Sequence, residues 1–463
     1  MAWRPDLVGL TATTPGFAEA CRLAREARAA LPEAWILLGG HHATALGAAL
    51  LPAHPEFDAA VLGEGEETLA DLADRYPDRD ALANVPGVRR LLPNGTVAGG
   101  APRRWREELD SLPLPARDLL PPLSAYPRFL DPVDGREKRV ATVLSSRGCP
   151  HSCRFCAVHG FADGLGRRWR PRSAAAVAEE IALLVQEYQA EHIAFVDDNF
   201  FVLPDRSAEI FRRLERMRLS VSFSFATRAD QVARGEEHIG RLAAAGCRRI
   251  ELGVESGSQS VLERYGKGIT VEENSRAIAL LRRNGIFVRA DLILFDPWTT
   301  LEELAETAAF LETNGLAGQH PPAVYNALAL LPGTALHERR GASALEGPAA
   351  WEFADPRAAA VHAGMQAIRR DCQERIDRLI LAFEAAAAAA SPERRARCHL
   401  HAVALKRLPF RALQNLVAAG LGGRGARAAC AEFLARIPTR LDLADRELEA
   451  LPPAAPGRMG QGE

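Results

Sequence analysis

The sequence predicts an α/β protein whose centre is a partial (β/α)6 TIM-like barrel. Three features of the 463-residue chain lead there: six short apolar runs recur through its middle, amphipathic stretches separate them, and polar or acidic residues close several of the runs. Strands alternating with helices imply a parallel sheet covered by helices. Six units fall short of the eight that close a full barrel, so one side is expected to stay open.

The runs are Val140–Leu144, His192–Val196, Val221–Ala226, Arg248–Val254, Phe287–Leu294 and Val324–Leu330. Between the first two, the stretch from Ser173 to Gln189 sets Val177, Ile181, Leu184, Val185 and Tyr188 on one helical face, with Ser173 placed to cap it. Residues 136–340 are assigned to this barrel. Ahead of it, residues 1–100 form an incomplete Rossmann-like segment. It has strands at Pro5–Ala12, Ala34–Gly40 and Ala59–Gly63, and helices at Phe17–Ala30 and near Ala43–Leu51. A hairpin over Val88–Ala98 turns at Asn94-Gly95. Residues 101–135 contain the proline-rich SLPLPARDLLPP and read as a linker.

Residues 341–463 are helical in pattern and are expected to cover the open side of the barrel. Ile376, Leu379, Ile380 and Phe383 share one face, and Leu405, Leu408, Leu413, Leu416 and Val417 suggest a second apolar surface. The closing PPAAPGRMGQGE has a disordered composition.

Composition is that of an ordinary soluble globular chain, 48% apolar and 25% charged. A formal charge of -2 gives no reason to expect nucleic acid as a partner. No run reaches the ~18 apolar residues of a membrane span, and no signal peptide opens the chain. A reducing, cytoplasmic setting is therefore expected.

The most specific local signal is Cys149, Cys153 and Cys156, a C-x3-C-x2-C set directly after the first barrel strand. Three thiolates on one loop can hold three corners of an iron–sulfur cube and leave the fourth iron open to a cofactor or substrate. Zinc is the alternative, with His151 or His159 completing a Cys3His set. Context favours the cluster. Parallel barrels place their working groups at the C-terminal strand ends, and there the cysteine loop is joined by Asp197-Asp198-Asn199, Glu255-Ser256-Gly257 and Asp296-Pro297. The other cysteines (Cys21, Cys247, Cys372, Cys398, Cys430) are scattered and read as buried, idle thiols.

From about residue 5 to residue 340 the ordered strings RPDLVGLTATTP, LLGGHHAT, VLGEGEETL, LDSLPLPARDLL, SSRGCPHSCRFC, FVDDNFF, GCRRIELGVESGS, VLERYGKG and LLPGT resemble the radical S-adenosylmethionine enzymes, in the branch with an N-terminal cobalamin-binding domain. The resemblance implies a 4Fe–4S cluster on Cys149, Cys153 and Cys156, with S-adenosylmethionine chelated at the open iron. It implies that Phe155 lies against the adenine and that Asp197, Asp198 and Asn199 hold the methionine amine. Glu255 and Ser256 would meet the ribose and carboxylate, and Arg228 either the carboxylate or a structural aspartate. The residue-level alternatives are a helix cap for Asp198 or Asn199 and an arginine partner for Glu255.

The implied chemistry is reductive cleavage to a 5′-deoxyadenosyl radical, with cobalamin-dependent methylation of a small-molecule substrate as the favoured outcome and oxidation, cyclisation or rearrangement as the alternative. A low-potential donor such as flavodoxin or ferredoxin is implied as partner. Thr11, Gly39 and Gly40 match positions near the cobalamin nucleotide tail, whereas His41 and His42 read as helix-start residues. Trp3-Arg4-Pro5 reads as the end of a preceding helix. A first strand and helix bearing any Asp-x-His-x-x-Gly cobalt ligand would lie ahead of it; either the start is placed too late, in which case an upstream-extended chain is expected to bind cobalamin better, or the domain is a remnant that has lost cobalamin.

Overall fold

One mixed and one parallel sheet form where the apolar runs lie, and a computed structural model describes residues 4–158, 165–319, 321–340, 350–388 and 390–450. Trp3, His159 and the closing PPAAPGRMGQGE fall outside the described residues.

The first sheet has the order β1 (Leu7–Thr11), β2 (Trp35–Gly39), β3 (Ala59–Val61), β4 (Val88–Leu91), β5 (Val97–Gly99). The first three strands pair in parallel and the last two close as the expected antiparallel hairpin. Its turn places Gly95 at φ +80°, and the Leu92 N–H donates to Thr96 O at 2.8 Å. In β2, Trp35, Ile36, Leu37 and Leu38 are all buried, as for a strand covered on both faces. The helix Phe17–Ala30 forms with the expected bounds. The next is shorter than expected, His41–Leu46, because Gly47 turns to φ +53° and a 3-10 turn follows.

A small hairpin, β6 (Phe129–Leu130) with β7 (Glu137–Lys138), precedes the barrel. The barrel sheet runs through β8 (Val140–Val143), β11 (His192–Phe195), β12 (Ser222–Arg228), β13 (Cys247–Glu255) and β14 (Phe287–Leu292), in the order β14-β13-β12-β11-β8 and parallel throughout. An antiparallel ribbon, β9 (Ser146–Gly148) with β10 (Trp169–Pro171), stands at its mouth. The sixth strand expected at Val324–Leu330 shrinks to a single parallel bridge between Phe295 and Ala327. Pro321, Pro322 and Pro332 bracket this segment, lack ladder N–H groups, and leave a 3-10 turn over Ala323–Tyr325 in place of strand.

Outside the sheet, the Ser173 hydroxyl caps helix Ala174–Gln186 by accepting from Ala176 N at 3.1 Å, and Val177, Ile181 and Leu184 are buried beneath it. Helices Val271–Arg283 and Leu301–Thr313 each open with a capping box, Thr270 with Glu273 and Thr300 with Glu303.

The segment read as a linker is docked rather than loose. Arg117 donates to Thr142 O and to Glu180 Oε1, each at 2.8 Å, and Asp110 accepts from Ser173 N at 3.0 Å. Its proline spacing hid these contacts, which depend on partners far along the chain.

In the C-terminal region, Val361, Met365 and Ile368 of helix Pro356–Ile368 join the barrel core together with Phe410, Leu413 and Leu416. Ile376, Leu379, Ile380 and Phe383 build a separate core with Leu405 and Leu408. The five scattered cysteines are all buried. Among the described residues no helix is long and apolar enough to cross a membrane.

Candidate functional site

Alternation along the barrel strands sends every second side chain inward. On β13, Ile250, Leu252 and Val254 are buried in the helix-facing core, while Arg249 and Glu251 pair with each other at 3.1 Å on the opposite face. Asp291 of β14 lies beside Glu251 and Glu255. Burial, then those two carboxylates, push its carboxyl up to about 6. The lumen is thus polar.

Its lower end is sealed. Phe129 of β6 stacks on His192 at 3.6 Å, the Arg249 guanidinium lies 5.0 Å from the Phe129 ring centre, and the His192 nitrogens meet Ser222 and Ser224 hydroxyls at 2.9 Å each. Lys138 pairs with the buried Asp131 beside this stack.

The upper end carries the cysteine loop. β9 delivers it through Gly148 at φ +79°, where a Cβ would fall 2.0 Å from Arg168 O, so only glycine fits. The loop is pinned from two sides: Arg154 N donates to Tyr265 O at 2.8 Å, and Leu336 N donates to Arg154 O at 3.1 Å. Cys149, Cys153 and Cys156 are half-buried thiols. Burial, together with the neighbouring Cys153, Cys149 and Asp198, pushes Cys156 up to about 12, and burial raises Cys149 as well. For Cys149 and Cys156, a bound metal group would supply the positive charge that favours the thiolate.

One zinc would draw three sulfurs to about 3.8 Å from each other, given Zn–S bonds near 2.3 Å. Among the described residues, the side chains whose ligand atoms gather within 4.8 Å do not include these three cysteines. The His151 Nε2 lies instead 3.0 Å from the Gln231 amide. Three free thiols on one loop are the donor set that an iron–sulfur cluster takes.

The other expected residues divide into two groups. Asn199 is oriented by Thr227, whose hydroxyl donates to its Oδ1 at 2.9 Å, and its amide reaches Cys149 Sγ at 3.9 Å. Asp198 accepts from Gly148 N at 3.1 Å. Neither caps the helix Pro204–Arg216, whose cap position is Leu203 with no side-chain bond. Phe155 sits 5.2 Å from the Tyr265 ring. Glu255 has φ +63°, a strained value for a non-glycine residue, and pairs with Lys267 at 2.6 Å rather than with an arginine. Gly253 leaves room for that pair, since a Cβ there would lie 2.9 Å from both Glu255 Oε1 and Lys267 Nζ. Arg228 donates through Nε to Asp230 at 2.8 Å, the structural aspartate of the two expected alternatives, and through Nη1 to Cys153 Sγ at 3.2 Å.

Two residues stand one step back from the opening. Both oxygens of Asp197 are occupied, by Ser145 N at 3.0 Å and by the Ser145 and Ser146 hydroxyls, so this buried carboxylate braces the start of the cysteine loop. The Ser256 hydroxyl faces Thr307 at 3.1 Å and accepts from Ser258 N at 3.0 Å, away from the lumen.

The mouth of the barrel meets the N-terminal domain across a cavity of about 350 Å³, whose lining includes Gly40, His41 and Glu64 from one side and Arg147, Gly148 and Asp198 from the other. Gly40 at φ +89° leaves bare backbone there, since a Cβ would fall 2.6 Å from Thr11 Oγ1. Thr11 and Gly39 lie behind it on β1 and β2. His42 is buried, 3.1 Å from the Thr14 hydroxyl and 4.2 Å from the Phe17 ring, whereas His41 is exposed at the cavity. The Trp105 indole N–H, also at this wall, is buried with no protein acceptor. An open glycine cradle and an orphaned donor suit a large ligand rich in acceptors, as a corrinoid is.

Sequence reasoning missed Trp105, Lys267 and Arg147, whereas the basic run Gly166–Arg172, read from sequence as a solvated loop or carboxylate-binding patch, binds carboxylates through Arg167, Arg170 and Arg172. Arg147 pairs with Glu64 at 3.1 Å and Glu66 at 2.5 Å, and the buried Arg170 pairs with Glu64 while lying 4.7 Å from the Trp105 ring centre. The strings VLGEGEETL and VLERYGKG contained Glu64, Glu66 and Lys267, but nothing local marks their partners.

Comparison with known proteins matches two family descriptions: Radical SAM superfamily over residues 143–311 and B12 binding domain over residues 2–73. An uncharacterized methyltransferase of Pyrococcus horikoshii is 31% identical over 306 residues, 66% of this chain and 64% of that protein. The anaerobic magnesium-protoporphyrin IX monomethyl ester cyclase of Rubrivivax gelatinosus is 31% identical over 66% of this chain and 53% of its own length. The match therefore spans roughly half to two thirds of these relatives. Among solved structures, the cobalamin-dependent S-adenosylmethionine radical enzyme OxsB, with aqua-cobalamin and S-adenosylmethionine bound, shares the fold at a TM-score of 0.75 and 20% identity, over 96% of this chain and 72% of that one.

Proposed function

We propose that this chain, which belongs to the radical S-adenosylmethionine superfamily in the branch carrying a B12 binding domain, methylates an unactivated carbon of a small-molecule substrate. The observation that carries the reading is the cysteine loop, whose three free thiols stand at the open end of a polar lumen with Asn199 and Arg228 against two of the sulfurs. When bound, the 4Fe–4S cluster with S-adenosylmethionine supplies a radical able to remove hydrogen from such a carbon, and cobalamin supplies a methyl carrier.

The chain's own residues do the placing. Cys149, Cys153 and Cys156 hold three irons. Phe155, backed by Tyr265, offers an apolar face to adenine. Asp198 accepts from the methionine amine and Glu255 from a ribose hydroxyl, while Asn199 and Arg228 hold the sulfurs of Cys149 and Cys153 and turn their remaining N–H groups toward the carboxylate. Asp197 and Ser256 brace the two turns from behind. Thr11, Gly39 and Gly40 let a nucleotide tail approach the backbone. The sealed lower end of the lumen keeps water from entering beneath the site. A low-potential donor of the flavodoxin or ferredoxin type provides the electron, in the cytoplasm.

In a second reading the radical closes or rearranges a ring without cobalamin; likeness to a cyclase favours the ring chemistry alone. Anaerobic reconstitution tests both. About four irons and four sulfides per chain, with dithionite-dependent release of 5′-deoxyadenosine, are expected. Cobalamin retained through desalting supports methylation, and cleavage without it supports the second reading. Zinc uptake with no cleavage overturns both.

A further inference from the structure

We infer that Arg228 sets the reduction potential of the cluster through the sulfur of Cys153, an inference that rests on reading the three cysteines as cluster ligands. Arg228 ends β12 and is 7% exposed. Three of its five N–H groups are committed: Nε to Asp230 Oδ1 at 2.8 Å, Nη2 to Lys267 O at 2.5 Å, and Nη1 to Cys153 Sγ at 3.2 Å. The first two anchors fix the plane and position of the guanidinium. The third contact is therefore imposed by the protein on the sulfur.

The loop is electrostatically uneven as a result. Cys149 receives the neutral Asn199 amide, and only at 3.9 Å. Cys153 receives a guanidinium cation at 3.2 Å, offset in part by its partner Asp230. Iron–sulfur potentials follow net charge and hydrogen bonds to the sulfurs. Reduction adds one electron to the cluster and needs no proton, so a fixed cation beside one ligand sulfur stabilises the reduced state. Arg228 thus keeps a low-potential cluster within reach of its donor. It is a positioning residue, with Asp230 as its brace.

The test compares the full-length wild type with R228Q, R228K and D230N, reconstituted anaerobically and titrated without S-adenosylmethionine. The reduced cluster is counted by electron paramagnetic resonance at poised potentials. R228Q is expected to lower the ratio of reduced to oxidised cluster about tenfold at the wild-type midpoint, a 59 mV negative shift for one electron. R228K recovers most of that shift. D230N, which removes the negative charge paired with the guanidinium, moves the midpoint in the opposite direction by less, at unchanged iron content. Wild-type midpoints in R228Q and D230N, with iron retained, overturn the inference. Should R228Q lose its iron, an unchanged midpoint in D230N, with iron retained, does so. A wild type that takes up no iron instead overturns the proposed function.

Discussion

The two ends of the barrel lumen are built from similar residues and end differently. At the lower end, charged and polar side chains satisfy one another beneath the Phe129–His192 stack. At the upper end, Asn199, Arg228 and Glu255 gather round three unbridged thiols, and the lumen opens toward a 350 Å³ cavity. The same strands thus carry a plug and a site. The distinction lies in what meets the strand ends: a hairpin from the preceding segment below, and loops held by remote partners above.

Breaking each end separately sharpens the contrast. The largest effect is expected from Cys149→Ala, Cys153→Ala or Cys156→Ala, each removing iron and S-adenosylmethionine cleavage to background while circular dichroism and melting stay near wild type. Next, Phe129→Ala should cost about 3–5 kcal/mol in urea unfolding, as for a buried ring, and leave iron content intact.

His192 gives a pH test of the lower end. Burial, with Arg249 and Lys138, pushes it down to about 3 from an unfolded value near 6.5. The unfolded chain then binds more protons between those limits, so stability present above pH 6.5 is lost as pH falls toward 3, by a few kcal/mol in order of magnitude. His192→Gln should flatten that stretch of the melting-temperature profile relative to wild type. The smallest effect is expected from Ser173→Ala, about 1 kcal/mol from the lost cap, at a helix outside both ends.

How much of this was legible in the chain follows from the range of the interactions. Apolar runs announced β8 and β11 to β14, because strand burial is written residue by residue. The sixth run failed because Val324–Leu330 is apolar enough for a strand but enclosed by prolines, and its backbone settles for one bridge. Spacing alone exposed Cys149, Cys153 and Cys156. It could not show that Asp197 turns back to Ser145 while Asp198 stays at the opening, since which of two adjacent carboxylates faces the site depends on the turn after the strand. Lys267 and Trp105 were silent for the same reason: their roles arise from contacts that a distant segment completes.

The polarity of the lumen has a consequence for how this protein tolerates change. Folding is driven by the outer face of the sheet, where Phe200, Phe211, Phe223 and Phe225 pack as one aromatic layer under the helices. Inward-facing positions supply little of that driving force. The inward-facing residues of β13 are instead tied in pairs, Arg249 to Glu251 and Glu255 to Lys267 beside Gly253, so a change in what the lumen accepts must replace both members of a pair.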